Sequence, residues 1–293
     1  MTVEQNGQAE DAALVSVLEA LPYVARYLDK TLVIKLGGSV GDEGTLLDDL
    51  VHLNRLGIRP VLVHGGGAQI SEWMGRVGLE ARFVDGRRYT DEATLDVARM
   101  VLIGLVNSEI VSRLNASGVP AVGLSGLDGA LLRTRLRDER LGLVGDVLRV
   151  ETEAIEALRQ AGYVVVIAPI GSGEGGQVHN VNADTVAGDV ARALRAESLI
   201  LFTDVTGVLA SDGSLIAEIT AGEIPELLES GVIRGGMIPK VEACMRALEG
   251  VRRAFIVDGR VPHALIRELF TDRGVGTMIV KERSPAVGAI VTG

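Results

Sequence analysis

Cysteine is almost absent: Cys244 is the only one among 293 residues. A single thiol cannot close a disulfide within the chain, and no spacing points to a zinc cluster, so a reducing interior is expected. Cys244 itself reads as a small buried hydrophobe on a helix face. Aromatic residues are scarce, at 3%. The core must then be built from Val, Leu, Ile and Ala, which suits buried parallel strands covered by helices. No stretch approaches the ~20 consecutive apolar residues of a membrane span. Met1 to Glu10 is polar and acidic, unlike a signal peptide. The expectation is a soluble, cytoplasmic protein. Basic residues number 29 against 39 acidic ones, a net charge of −10. That excess argues against nucleic acid or an anionic membrane as the main partner and makes each local cation informative.

What is abundant is apolar periodicity. Hydrophobic residues make up 47% of the chain, enough for a sizeable core. Residues 1–10 are expected to be a disordered tail. Leu14, Val17, Leu21, Val24 and Leu28 then recur at alternating spacings of three and four, the stripe of a helix seeking a partner. Pro22 should kink that helix. The stripe fits either packing on its own domain or an oligomerisation helix.

Beyond it, strands are predicted at 31–36, 60–64, 119–124, 163–168, 198–203, 253–257 and 277–281. Helices alternate with them near 44–56, 67–77, 91–117, 151–161, 183–195, 220–230, 237–249 and 263–270. A hairpin-like region fills 130–150. This alternation predicts an α/β fold with a mostly parallel sheet and helices on both faces. Ligands bind such sheets at the carboxyl ends of the strands. Gly171 to Gly176 is read as a lobe boundary, and it also spells G-x-G-x-x-G. The dinucleotide motif needs a helix at its third glycine. Gln177 to Val181 alternates like a strand instead.

Three segments carry chemistry. Val33 to Leu36 ends at Gly37 and Gly38, and Val61 to His64 ends at Gly65, Gly66 and Gly67. Glycine at a strand end exposes bare N–H groups that can wrap an anion. Lys35 lies inside the first apolar run, where its charge is costly without an anionic partner; the bland alternative is a snorkelling edge lysine. In the third segment, Gly235 and Gly236 lead into Met237-Ile238-Pro239-Lys240. Lysine is electrostatically wrong at a helix N-terminus unless an anion is bound there. Two glycine cradles and two lysines suit a phosphoryl group in transfer.

Other positions have competing readings. Asn182 fits an N-cap and Asp184 fits the first turn of the next helix, which leaves Asn180 unexplained. Arg88 before a helix is either a surface charge or a carboxylate ligand. Asp204 is a turn residue or a ligand, and His64 is more readily structural than catalytic. The Walker spacing and protein-kinase catalytic-loop signatures are missing from the sequence.

Taken together, Lys35 to Gly38, His64 to Gly67, Arg88 to Thr90, Gly123 to Gly126, Asn180 to Asp184, Thr203 to Gly207 and Gly235 to Lys240 resemble the amino acid kinase family. Seven motifs fall in the family's order, from about Leu14 to Val280. The resemblance implies a three-layer sandwich with a central, mainly parallel eight-stranded sheet in two lobes. Residues 30–181 would form the acceptor lobe and 182–293 the nucleotide lobe, after an N-terminal tail and helix over 1–29. It implies transfer of the γ-phosphoryl of ATP, with Mg²⁺, to the side-chain carboxylate of N-acetyl-L-glutamate in arginine biosynthesis.

By resemblance, Lys35 and Lys240 stabilise the transferring phosphoryl and Asp184 orients both. Gly65, Gly66, Gly67, Arg88, Asn180 and Asn182 surround the acceptor. Gly37, Gly38, Asp204, Val205, Thr206, Gly207, Val208, Leu209, Val232, Ile233, Arg234, Gly236 and Met237 attend the nucleotide. No protein metal ligand is implied. The N-terminal helix resembles that of arginine-inhibited, hexameric members, and Tyr23, Glu268 and Gly274 match their arginine pocket. Ser198 and Phe255 depart from that pattern, standing where Lys and His are usual. Leu127 and Tyr89 depart near the acceptor. The rival readings are a kinase acting on aminoadipate or glutamate tethered to a carrier protein, and a non-catalytic arginine- or nucleotide-sensing module.

Overall fold

The computed structural model describes residues 3–37, 44–84, 86–271 and 274–283. Gly38 lies outside the described residues. The first half opens with α1 (Val3–Tyr27), β1 (Leu32–Leu36), α2 (Gly44–Arg55), β2 (Val61–His64) and α3 (Gly67–Arg76). A small hairpin, β3 (Phe83–Val84) and β4 (Arg87–Arg88), precedes α4 (Glu92–Arg99) and α5 (Ser108–Ala116). Then come β5 (Ala121–Ser125), β6 (Leu132–Leu136), β7 (Val144–Val150), α6 (Glu153–Gln160), β8 (Val164–Ala168), β9 (Ile170–Ser172) and β10 (Val178–Val181). The second half runs α7 (Ala183–Ala193), β11 (Ser198–Thr203), β12 (Glu218–Thr220), α8 (Ile224–Glu229) and α9 (Met237–Leu248). It ends with β13 (Arg253–Asp258), α10 (Ala264–Phe270) and β14 (Thr277–Val280).

Eight strands form one sheet in the order β12-β14-β13-β11-β1-β2-β8-β5. Every neighbouring pair is parallel except β13 with β14. Because side chains alternate across a strand, each strand feeds two cores. Ile34, Leu62, Val166, Ile200 and Phe202 point into one, shared with Leu50, Ile110 and Leu265 from the helices. Val33, Val63, Val165, Leu199 and Leu201 point into the other, shared with Val186, Val190, Val241 and Ala247. Helices therefore cover both faces, a three-layer sandwich. Parity also aims Lys35, two residues after Val33, at the α7 and α9 layer.

One expectation changes, one holds and one is refined. The first helix begins at Val3 rather than near Asp11, and it continues through Pro22 as one element. Gly171 to Gly176 forms the turn between β9 and β10, which pair antiparallel within a small closed barrel with β6 and β7. With an antiparallel strand where a helix should open, the dinucleotide reading ends there. The long helix expected at 91–117 is present, but Met100–Asn107 winds as a π-helix between α4 and α5. Such segments are rare and gather at functional sites; this one directs Leu102 at Gly66. Among the described residues, no helix is long and apolar enough to cross a membrane.

Candidate active site

The centre of the site is Asp184. Asn182 caps α7, its Oδ1 accepting from Thr185 N at 3.0 Å, which fixes Asp184 in the first turn. The Lys35 ammonium lies 3.0 Å from one Asp184 carboxylate oxygen, and Lys240 donates to the other at 3.0 Å. Strand β1 thus meets helices α7 and α9 at a single acid. Burial pushes the Asp184 carboxyl upward, but the two ammonium groups outweigh it and hold it below its ordinary value. Asp184 is ionised at neutral pH and answers one of two lysines, which leaves one ammonium charge uncompensated. The misplaced charge at the start of α9 has a protein partner, and the surplus remains for an anion.

Beside this triad lies a cavity of about 260 Å³. Gly65, Gly66 and Gly67 line it, as do Arg88, Asn180, Asn182, Lys35 and Asp184. Arg88 is held by α3, donating to Gly67 O and to Ser71 Oγ, each at 2.8 Å. Its guanidinium also lies 4.9 Å from the Phe83 ring centre. Asn180 donates to Thr90 Oγ1 at 3.2 Å, tying β10 to the segment after Arg88. Ile70, Phe83, Leu102 and Pro169 give the cavity an apolar wall. Sequence reasoning missed these four, since an isolated apolar residue carries no signal of a ligand.

Gly37 borders the lysine itself: a Cβ there would sit 2.9 Å from the Lys35 ammonium nitrogen and 2.5 Å from Phe202 O. A larger cavity, about 590 Å³, lies beyond α9's start. Val205, Gly207, Val208, Leu209, Val232, Arg234 and Met237 line it, together with Ala210, Ser211, Gly213, Ser230 and Gly231. The last five escaped the sequence reading, although Ser211-Asp212-Gly213 continues the same turn-rich loop. Asp204, Thr206 and Gly236, expected at the nucleotide, are exposed and absent from that wall. Ile233 does not line that cavity either: it is 1% exposed and packs into the core with Val208 and Val241. His64 is structural, fully buried against Asn107. Tyr23, Phe255, Glu268 and Gly274 line a separate cavity of about 300 Å³ between α1 and α10.

A buried acid bridging two lysines beside an arginine-lined cavity is an arrangement suited to phosphoryl transfer, as in a phosphotransferase. Residues 30–258 match the amino acid kinase family, and the chain belongs to it. The acetylglutamate kinase of Symbiobacterium thermophilum is 50% identical over 291 residues, spanning 94% of this chain and 99% of that protein. The acetylglutamate kinase of Nostoc sp. is 47% identical over 287 residues, spanning 95% and 97%. Among solved structures, the N-acetylglutamate synthase from Neisseria gonorrhoeae, complexed with coenzyme A and N-acetyl-glutamate, superposes with a TM-score of 0.82 at 31% identity. That match covers 92% of this chain but 64% of the synthase chain.

Proposed function

We infer that this chain is an ATP-dependent kinase that phosphorylates the side-chain carboxylate of N-acetyl-L-glutamate in arginine biosynthesis. The observation that carries the reading is the shared carboxylate of Asp184, which brings Lys35 and Lys240 together beside the Arg88 cavity. The acceptor carboxylate is already ionised at neutral pH, so the reaction needs no general base. One of its oxygens bonds to the γ-phosphorus while the bond from that phosphorus to the bridging oxygen breaks, and ADP departs with the electron pair. No proton changes hands. What the protein supplies is alignment and positive charge on the transferring oxygens.

In this reading Arg88 and Asn180 hold the acetylglutamate α-carboxylate and amide, and Ile70, Phe83 and Leu102 pack on its apolar parts. Gly37, Gly66 and Gly67 offer backbone N–H groups to the travelling phosphoryl, while Gly65 N donates to Leu36 O at 3.0 Å and holds the cradle to β1. Lys35 and Lys240 neutralise it, and Asp184 keeps them apart from each other yet aimed at one point. The adenosine occupies the larger cavity between Val205 to Gly213 and Ser230 to Met237, which fits a nucleotide lobe over 182–293 and an acceptor lobe over 30–181. Mg²⁺ is proposed to come with the ATP phosphates and to neutralise them. Among the described residues no group of three His, Cys, Asp or Glu side chains could hold a metal, and both Asp184 oxygens already face lysines.

A homo-oligomer is proposed from α1, whose Leu14, Val17, Leu18 and Leu21 are all more than half exposed. Effector binding is proposed at the Tyr23–Glu268–Gly274 cavity. There Glu268 already accepts from Val275 N and Gly276 N, and buried Phe255 offers no polar partner. A cytoplasmic setting fits the buried lone thiol. The deciding experiment traps acyl phosphate as hydroxamate, with ATP and a panel of acetylglutamate, glutamate, aspartate and acetylaminoadipate, with and without arginine. Acetylglutamate alone should react well. Turnover that requires a carrier-linked acceptor, or nucleotide binding with no hydroxamate, would defeat the reading.

A further inference from the structure

At the opposite end of the sheet from the lysine pair, three loops leading into neighbouring strands converge. Lys30 precedes β1, Arg59 precedes β2, and Arg159 lies near the end of α6, ahead of β8. Those three strands lie side by side, so the loops share one corner. The residues enclose a cavity of about 190 Å³, roomy for one small oxyanion. Gly37, Gly65 and Pro169 follow the same strands at their other ends, so this corner is remote from the catalytic cavity.

The acids nearby only partly balance the three cations. Among the described residues, none of the three side chains forms an ion pair or hydrogen bond with a carboxylate. Arg159 is half-buried, and its Nε is buried with no hydrogen-bond partner. Burial pushes its guanidinium downward, Glu156 opposes that, and neighbouring Arg59 adds to it. A cation near a helix C-terminus suits the dipole, but that explains neither the buried Nε nor a second arginine beside it. Lys30 and Arg59 are exposed, but the half-buried Arg159 charge, with a second arginine beside it, is costly unless something negative sits nearby. Asp29 and Glu156 also border the cavity. Glu156 already accepts from Thr152 Oγ1 at 3.1 Å, so it is a partial counter-charge. Three cations against two acids leave this corner positive on a chain of net charge −10.

We propose that Lys30, Arg59 and Arg159 form a second anion site that binds a phosphate group. Arg159 would grip it with a fork of two N–H groups, and Lys30 and Arg59 would close on it as flexible arms. The site lies where α1 joins the sheet, so occupancy would tie that helix's end to β1 and β2.

The test is calorimetric titration of inorganic phosphate into the full chain and into Arg59→Gln/Arg159→Gln. Phosphate bound in the catalytic cavities appears in both proteins, so the difference reads the remote corner. The wild type should bind one phosphate that the variant binds about tenfold more weakly or not at all, with turnover within about twofold. Glycerol phosphate distinguishes the sources: equal binding means the site takes an esterified phosphate, and weaker binding means it prefers the free ion. Identical isotherms for the two proteins, or chloride displacing phosphate at equal concentration, overturn the proposal. Should the double variant fail to fold, Arg159→Lys keeps the charge without the fork and must weaken phosphate binding; unchanged affinity there overturns it as well.

Discussion

Arg87 on β4 reaches Glu242 on α9, Nη2 to Oε2 at 3.7 Å. The pair joins the hairpin that bears Arg88 to the helix that bears Lys240. The other acids nearby are taken: Asp146 by Arg137, and Asp189 by Arg192 and Arg246. Glu242 is half exposed, so the pair contributes little to stability, under about 1 kcal/mol. Its effect should appear in alignment instead. Glu242→Gln is expected to lower kcat by about three- to tenfold, since small misplacements of reacting groups cost rate steeply. The unfolding midpoint should barely move. High salt should imitate the substitution in the wild type and change the variant less, which steady-state kinetics at two ionic strengths will check.

The lysine pair makes a stronger demand. Lys35→Met or Lys240→Met should each cut kcat by about 10²–10³-fold, or roughly 3–4 kcal/mol of transition-state stabilisation. Since both act on one group through one carboxylate, the double variant should lose far less than the product of the two. Asp184→Asn leaves two ammonium groups facing each other without a counter-charge, so it should also lower kcat and weaken folding. Single-turnover hydroxamate formation separates the chemical step from product release. Near-normal rates in both single variants would remove the lysines from the mechanism.

His64 supplies a pH signature outside the reaction. Its Nδ1 lies 2.8 Å from Gly65 O and its Nε2 lies 3.2 Å from Asn107 Nδ2. Asn107 Nδ2 also donates to Val166 O at 3.0 Å. Nδ1 is then the protonated nitrogen and Nε2 the acceptor, a neutral ring that anchors the first glycine of the cradle. Burial lowers its pKa to about 4. The unfolded chain takes up that proton near pH 6.5. Stability is therefore complete above about pH 6.5 and falls as pH drops toward 4, by roughly 3 kcal/mol at the lower end. Urea unfolding of the wild type and His64→Gln at pH 7 and pH 5 should show a smaller loss in the variant.

Much of this was legible in the sequence because it rests on period and punctuation. Val33, Lys35 and the glycines after Leu36 announce a buried strand ending at an anion, and seven of eight sheet strands follow from apolar runs. β12, three residues long, has too short a run to declare itself. The helix begins at Val3 because a polar segment can extend a helix whose stripe starts further on, and polarity alone does not mark a helix start. Ile233 was expected at the nucleotide on motif grounds, yet its apolar side chain turns into the core while Val232 and Arg234 face the cavity. The Ser71 support for Arg88 and the Leu102 wall depend on pairings distant in sequence, which no local pattern encodes.

The two glycine cradles should fail in different ways. At Gly37, an added Cβ would meet Phe202 O at 2.5 Å, a backbone atom fixed within β11. At Gly66, it would meet Leu102 Cδ2 at 2.6 Å, the far end of a flexible side chain. Gly37→Ala must therefore displace a central strand or the lysine beside it, and no neighbouring substitution relieves that. Gly66→Ala presses on one methyl group that truncation removes. The expected outcome is a loss of about 100-fold or more in kcat/KM for Gly37→Ala. Gly66→Ala should lose about tenfold, and Gly66→Ala/Leu102→Ala should recover part of it despite the cavity that Leu102→Ala opens. A double-mutant cycle in kcat/KM for acetylglutamate measures that coupling directly. If Leu102→Ala worsens Gly66→Ala additively, the π-helix does not press on the cradle, and Leu102 serves the acceptor cavity independently of Gly66.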